Sequence, residues 1–128
     1  MSYLVDTNAW IGFLDGREDF SPEAKQLMIE RPEACRISIA SIWEAAIKVG
    51  IGKLKLPYDL GRDLPRILED NGFELLGIDF ADAAAVKDLE RLHGDPFDRV
   101  QVVQARRLRL TVISRDPVFA RYGLKRVW

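Results

Sequence analysis

Four short apolar runs, each followed by a helix-start signal, constrain this chain more than any other feature. Tyr3-Leu4-Val5 ends at Asp6-Thr7-Asn8, and Cys35-Arg36-Ile37-Ser38 precedes Ser41-Ile42-Trp43-Glu44. Phe73-Glu74-Leu75-Leu76-Gly77-Ile78 ends at Asp79, and Leu110-Thr111-Val112-Ile113-Ser114 ends at Arg115-Asp116-Pro117. Runs this short and apolar read as buried strands. The caps, prolines and early acids behind them read as helix starts. Short buried strands that alternate with helices belong to a parallel sheet covered on both faces, joined by right-handed crossovers. At 128 residues the chain is expected to be a single α/β domain spanning 1–128.

The helices can be placed from the same signals. The first starts at Asp6-Thr7-Asn8, buries Ala9, Trp10, Ile11, Phe13 and Leu14, and closes near Gly16. Ser21-Pro22-Glu23 opens the second, with Ala24, Leu27 and Met28 inward and Arg31-Pro32 as its end. Ser41 to Glu44 matches a capping box, which puts Glu44 in the first turn of a third helix that stops near Gly50. Lys53-Leu54-Lys55-Leu56-Pro57 is a loop or edge segment, and a fourth helix covers about Leu60 to Glu69. Asp79 caps a fifth, whose buried side would include Phe80, Ala83, Ala84, Val86 and Leu89. The sixth runs from Asp95 to about Leu108, with Val100, Val103 and Leu108 inward, and Lys125–Trp128 can add an edge strand.

The densest chemistry lies in His93-Gly94-Asp95-Pro96-Phe97-Asp98-Arg99, which holds two carboxylates, the only histidine and an arginine. Asp95 suits an N-cap, because its side chain can accept from a free backbone N–H. Pro96 suits the first helical position. Asp98 then falls third, where a carboxylate can reach back to the cap N–H and faces the positive end of the helix dipole. Alone, this could be only a well-capped helix. Three other acids in similar settings make the case for function. Asp6 follows the first strand, Asp116 lies just past the fourth, and Glu44 starts the helix after the second. In an open parallel sheet, ligands bind beyond the carboxyl ends of the strands at the topological switch point. A helix that returns to a parallel strand also begins at that edge, which brings Asp98 to it.

Each acid has a structural reading: Asp6, Asp98 and Asp116 as caps, and Glu44 as a capping-box member or a partner of Lys48 one turn on. Together the four would crowd like charges, and carboxylates sharing a site do not ionise cheaply without a cation. A hard divalent ion such as Mg²⁺ or Mn²⁺ takes oxygen ligands and relieves that repulsion. So held, it could activate water and stabilise charge on a phosphoryl oxygen. The substrate would be a phosphodiester.

Net charge is −1, but residues 99–128 carry seven Arg and one Lys against a single acid, Asp116. Such a basic segment suits either a polyanionic partner or solubility. Arg99 and Arg115 stand next to site acids and can contact phosphate or orient a neighbouring carboxylate. His93 can be a structural hydrogen-bonder or a general base. Thr7, Asn8 and Ser114 can orient ligands or serve strand-end turns. Cys35 is the only cysteine, which excludes an intramolecular disulfide and a cysteine zinc site. No segment reads as a signal peptide or membrane span, so the expected address is the cytoplasm.

These residues resemble a known family. Asp6-Thr7-Asn8 resembles the opening of PIN-domain ribonucleases, and Ser41-Ile42-Trp43-Glu44 with Lys48 resembles their second acid segment. The 93–99 motif with Gln104-Ala105 behind it resembles the VapC-type toxin branch, and Ser114-Arg115-Asp116 resembles the last acid. The resemblance implies a three-layer α/β/α PIN fold and a Mg²⁺- or Mn²⁺-dependent endoribonuclease acting on RNA. It also implies inhibition by a cognate VapB-like antitoxin, and a homodimer. Asp6, Glu44, Asp98 and Asp116 match the acidic quartet, with Asp6 and Asp98 as the foremost metal ligands, while Asp95 matches a capping or outer position. Val102-Val103 departs from the small alanine common in that helix.

Three alternatives stand beside this reading. A non-catalytic PIN module would bind RNA or protein. A phosphoaspartyl receiver or haloacid-dehalogenase-like phosphatase would need a late lysine or a second aspartate at position 8, which is Asn8. A regulatory protein with purely structural acids would bind no metal.

Overall fold

The structure, a computed structural model, describes residues 1–128. Its elements in chain order are β1 (Tyr3–Val5), α1 (Thr7–Asp15), α2 (Pro22–Glu30), β2 (Cys35–Ser38), α3 (Ile39–Gly50), α4 (Leu64–Asp70) and β3 (Glu74–Leu76). Then follow α5 (Phe80–Ala85), α6 (Pro96–Leu108), β4 (Thr111–Ile113), α7 (Val118–Arg121) and β5 (Arg126–Val127). The five strands are all parallel, in the order β3-β2-β1-β4-β5. The chain walks outward from β1 through β2 to β3, then returns to the other side of β1 for β4 and β5. The order therefore reverses between β1 and β4, and a crevice opens beyond their carboxyl ends.

Strand alternation builds two cores. Tyr3, Val5, Cys35, Ile37 and Ile113 face one side and pack with Ala9 and Trp10 of α1, Ala24 and Met28 of α2, and Leu64 and Leu68 of α4. Leu4 and Val112 face the other and pack with Val102 and Ala105 of α6 and Val118 and Phe119 of α7. Both sheet faces are thus covered, giving the three layers expected of buried parallel strands. Each fully buried large apolar side chain, Trp10 and Phe119 among them, contributes about 1.5–3 kcal/mol relative to exposure. No helix is long and apolar enough to cross a membrane.

Several local expectations are corrected. Ser38, not Ser41, caps α3, accepting from the Ala40 N–H. The strand ends at Ser38 as its sequence suggests, but the helix begins directly after it, three residues earlier than the capping-box pattern implied, so Glu44 sits in the second turn. Ser41 is buried inside the helix, accepting from Trp10 Nε1 at 3.1 Å and donating to the Ser38 carbonyl at 2.8 Å. α4 begins at Leu64 instead of Leu60, because residues 60–63 form a turn in which Asp59 and Asp63 take up backbone N–H groups. In α5, Phe80 is 90% exposed and Ala83 and Ala84 are exposed, while Asp82 is the buried residue. Asp82 completes a capping box with Asp79 and receives Arg107 from α6, which turns the polar side inward. In α6 the fully buried positions include Gln101 and Gln104, whereas Val100 is half-buried. Gln104 clamps the two neighbouring strand ends, accepting from Ser38 Oγ at 2.7 Å and donating to the Gly77 carbonyl at 3.1 Å.

Candidate functional site

Register brings the first two site residues together. Tyr3, Leu4 and Val5 pair with Thr111, Val112 and Ile113, so Asp6 stands level with Ser114. Asp6 caps α1: its Oδ1 accepts from the Thr7 N–H at 2.8 Å, and its Oδ2 accepts from Ser114 Oγ at 2.7 Å. The same Ser114 hydroxyl accepts from the Asp116 N–H at 3.0 Å, and Asp116 Oδ1 accepts from the Val118 N–H at 2.9 Å. Ser114 therefore links the acid after β1 to the acid after β4. Thr7 makes the next link, donating from Oγ1 to Glu44 Oε1 at 2.7 Å, while Lys48 Nζ holds Glu44 Oε2 at 2.9 Å. Asn8 points to solvent.

Asp98 arrives from the second layer. Asp95 is the N-cap of α6 and accepts from the Phe97 and Asp98 N–H groups at 2.9 and 3.1 Å. Asp98 does not reach back to the cap. It instead lies with Oδ2 at 3.2 Å from His93 Nε2. Trp43, 59% exposed, meets Phe97 edge to face beside Glu44 and Asp98.

The electrostatics show that these carboxylates feel one another. Burial pushes Asp98 up to about 8, and Asp6, Asp95, Glu44 and Asp116 each push it further in the same direction. Burial likewise raises Asp6 to about 6, reinforced by Glu44 and Asp116 and opposed by its bonds from Ser114 and Thr7. Lys48 is raised, first by its bond to Glu44 and then by the field of Glu44, Asp95 and Asp6. Lys48 is the one cation of the chain bonded to this group of acids, and it touches only the outer oxygen of Glu44.

The donor set is all oxygen, anionic and short of positive charge, which fits a hard divalent cation. No three acidic, histidine or cysteine side chains are drawn together as a preformed cage. Asp6 and Asp98 are the acids whose charge most needs such a partner.

The arginines of the basic C-terminal segment are engaged to different degrees. The Arg99 guanidinium bonds the carbonyls of Leu89, Glu90 and His93 and the hydroxyl of Tyr122. Arg106 is engaged by Glu90 and the Tyr122 carbonyl, Arg107 by Asp79 and Asp82, and Arg126 by the Ser114 carbonyl. Arg115 is the exposed cation beside the acids, with Nη1 at 3.2 Å from Asp19. It lines a cleft with Asn8, Gly12, Arg17, Asp19 and Trp128. The residue that sequence reasoning missed is Tyr122, whose hydroxyl lies 2.7 Å from His93 Nδ1. No local pattern marks a tyrosine on the far side of β4 as a neighbour of position 93.

Comparison with solved structures gives the same fold. A toxin–antitoxin complex from Klebsiella pneumoniae aligns at 25% identity over 91% of this chain and 88% of that one, with a TM-score of 0.60. VapBC2 from Rickettsia felis, solved with a DNA fragment from its promoter, aligns at 16% identity over 99% and 98%, with a TM-score of 0.69. FitAcB from Neisseria gonorrhoeae aligns at 20% identity over 98% and 96%, with a TM-score of 0.64. No curated protein sequence matches. A model of the PIN domain matches residues 3–125, nearly the whole length over which the acids and the sheet have been traced, and the chain belongs to the PIN-domain family.

Proposed function

We propose that this chain is a VapC-like toxin that cleaves RNA phosphodiester bonds with Mg²⁺ or Mn²⁺ held at the crevice between β1 and β4. The observation that carries the reading is the convergence of acids at that crevice: Ser114 ties Asp6 to the Asp116 turn, Thr7 ties Glu44 to the same helix start, Lys48 is the one cation bonded to the group, and Asp98 is close enough for all these acids to raise its pKa. Asp6 and Asp98 would hold the cation, with Glu44 and Asp116 adding negative charge and bonds to its waters. Bound there, such a cation lowers the pKa of water and stabilises charge on a phosphoryl oxygen.

The chain's own residues supply the rest. Ser114 and Thr7 fix the Asp6 carboxylate by two hydrogen bonds, and Thr7 ties Glu44 to the same helix start. Lys48 holds the second oxygen of Glu44 at 2.9 Å. Arg115, exposed and paired with Asp19 at the surface, would contact the RNA backbone. A cognate antitoxin is the proposed partner, since the solved relatives include toxin–antitoxin complexes. An uncovered apolar stripe on α3, Ile39, Trp43 and Ile47, continued by Ile51, gives a protein partner or a second copy in a homodimer a surface to cover.

The test is cleavage of a mixed pool of structured and unstructured RNAs by protein freed of any partner, in Mg²⁺, Mn²⁺ or EDTA. Metal-dependent cuts by the wild type that Asp98→Asn abolishes are expected. Equal cutting by both proteins would overturn the reading.

A further inference from the structure

A chain of hydrogen bonds runs into Asp98 from outside the acid cluster. Arg99 Nη1 lies 3.2 Å from Tyr122 Oη, Tyr122 Oη lies 2.7 Å from His93 Nδ1, and His93 Nε2 lies 3.2 Å from Asp98 Oδ2. Chemistry sets its direction. A guanidinium has only donors, so Tyr122 Oη accepts from Arg99 and its own hydrogen is left for His93 Nδ1. With Nδ1 accepting, the imidazole proton sits on Nε2 and is directed at Asp98 Oδ2. The opposite order would leave the hydroxyl hydrogen of Tyr122, a residue 4% exposed, without an acceptor.

The relay is also held rigidly. Arg99 bonds the carbonyls of Leu89, Glu90 and His93, which fastens residues 89–93 to the helix that carries Asp98. The Tyr122 ring packs edge to face on His93 with centroids 5.4 Å apart, and Arg106 bonds the Tyr122 carbonyl at 2.7 Å. Asp98 thus has one oxygen pinned by the chain, and Oδ1 is the oxygen left for an outside partner.

We propose that His93 and Tyr122 are positioning residues for Asp98, with Arg99 setting the direction of the relay, so that the carboxylate is held ready for a divalent cation. This rests on the reading of Asp98 as a metal ligand. Outer hydrogen-bond partners of a ligating group fix its orientation, and losing one typically costs about 10- to 100-fold in metal affinity. Here an imidazole orients a carboxylate, the reverse of the common carboxylate–histidine order.

The experiment is calorimetric titration of the metal-free full chain with Mn²⁺, with thermal melts alongside. His93→Ala is expected to weaken Mn²⁺ binding about tenfold or more. Tyr122→Phe, which keeps the ring and its packing, is expected to weaken it by a smaller factor, about threefold. His93→Gln, whose amide nitrogen can still donate to Asp98, is expected to restore most of the loss. A folded His93→Ala that binds Mn²⁺ like the wild type overturns the proposal, as does a His93→Gln no better than His93→Ala. Absence of Mn²⁺ binding by the wild type, or undiminished binding by Asp98→Asn, overturns the metal reading itself and the proposal with it.

Discussion

Asp82 of α5 is buried and Asp98 of α6 half-buried, yet their surroundings treat their charge in opposite ways. Asp82 is wholly buried, and Arg107 grips it through Nε at 2.6 Å and Nη2 at 2.9 Å. That arginine, above all else, holds the Asp82 carboxyl below the usual range. Asp98 is nearly as enclosed, with its side chain 14% exposed, but its neighbours are four more carboxylates and an imidazole. Its pKa rises to about 8. Where the chain encodes its own counter-charge, a buried acid fastens two helices. Where it encodes further acids instead, the counter-charge has to come from outside, and the acid serves function at the expense of stability.

The largest expected effect separates the two directly. Asp98→Asn or Asp6→Asn should lower RNA cleavage by more than about 100-fold, while melting of the protein in EDTA stays level or shifts upward, since one buried repulsive charge is gone. Asp82→Ala should do the reverse. It leaves Arg107 without its partner and removes the box with Asp79, at a cost of about 2–4 kcal/mol in denaturant unfolding, with cleavage per folded molecule retained. An Asp98→Asn that unfolds, or an Asp82→Ala as stable as the wild type, would break the comparison.

The next effect is in pH. In the unfolded chain these carboxyls release their protons near the ordinary 3.8, whereas the folded protein holds them until about 6 at Asp6 and about 8 at Asp98. The native state binds more protons through that window, so stability without metal should fall as pH rises from about 4 to about 8. Melting in EDTA across this range measures it. Asp98→Asn should flatten the upper part of the slope and Asp6→Asn the lower part. A stability that rises with pH in the wild type would contradict the charge imbalance. Added Mn²⁺ should stabilise the protein more at the upper end, because binding to the native state alone shifts unfolding by mass action.

The smallest effect concerns the arginines. Arg115→Ala should change stability by less than about 0.5 kcal/mol, since its pair with Asp19 is exposed. It should reduce the salt dependence of RNA binding by about one unit of slope. Arg99→Ala should instead be felt as lost stability, because its guanidinium holds three carbonyls and a phenol. Equal loss of RNA affinity in both variants, with no loss of stability in Arg99→Ala, would remove the distinction.

Much of this is legible in the sequence. Asp95, Pro96 and Asp98 fall at the cap, first and third positions of α6, as their spacing requires, because capping is decided within one turn. Asp6 and Ser21 cap their helices for the same reason. The Ser41–Glu44 pattern misled because two serines one turn apart offer the same chemistry, and pairing of Ser38 with Leu76 in β3 decides between them. The inward face of α5 was misplaced because its alanines and Phe80 look apolar in isolation, whereas Arg107, 25 residues away, draws Asp82 inward.

The sequence by itself determined the alternation of strands and helices, the helix caps, and which residue types stand at strand ends. Those depend on backbone bonds and side chains a few positions apart. Only the tertiary structure decided that β1 lies between β2 and β4, that Ser114 reaches Asp6 across 108 positions, and that Tyr122 stands behind His93. It also decided which arginines are occupied and which carboxylates are left unbalanced. Coulomb coupling and desolvation follow distance and burial in space, which spacing along the chain does not encode.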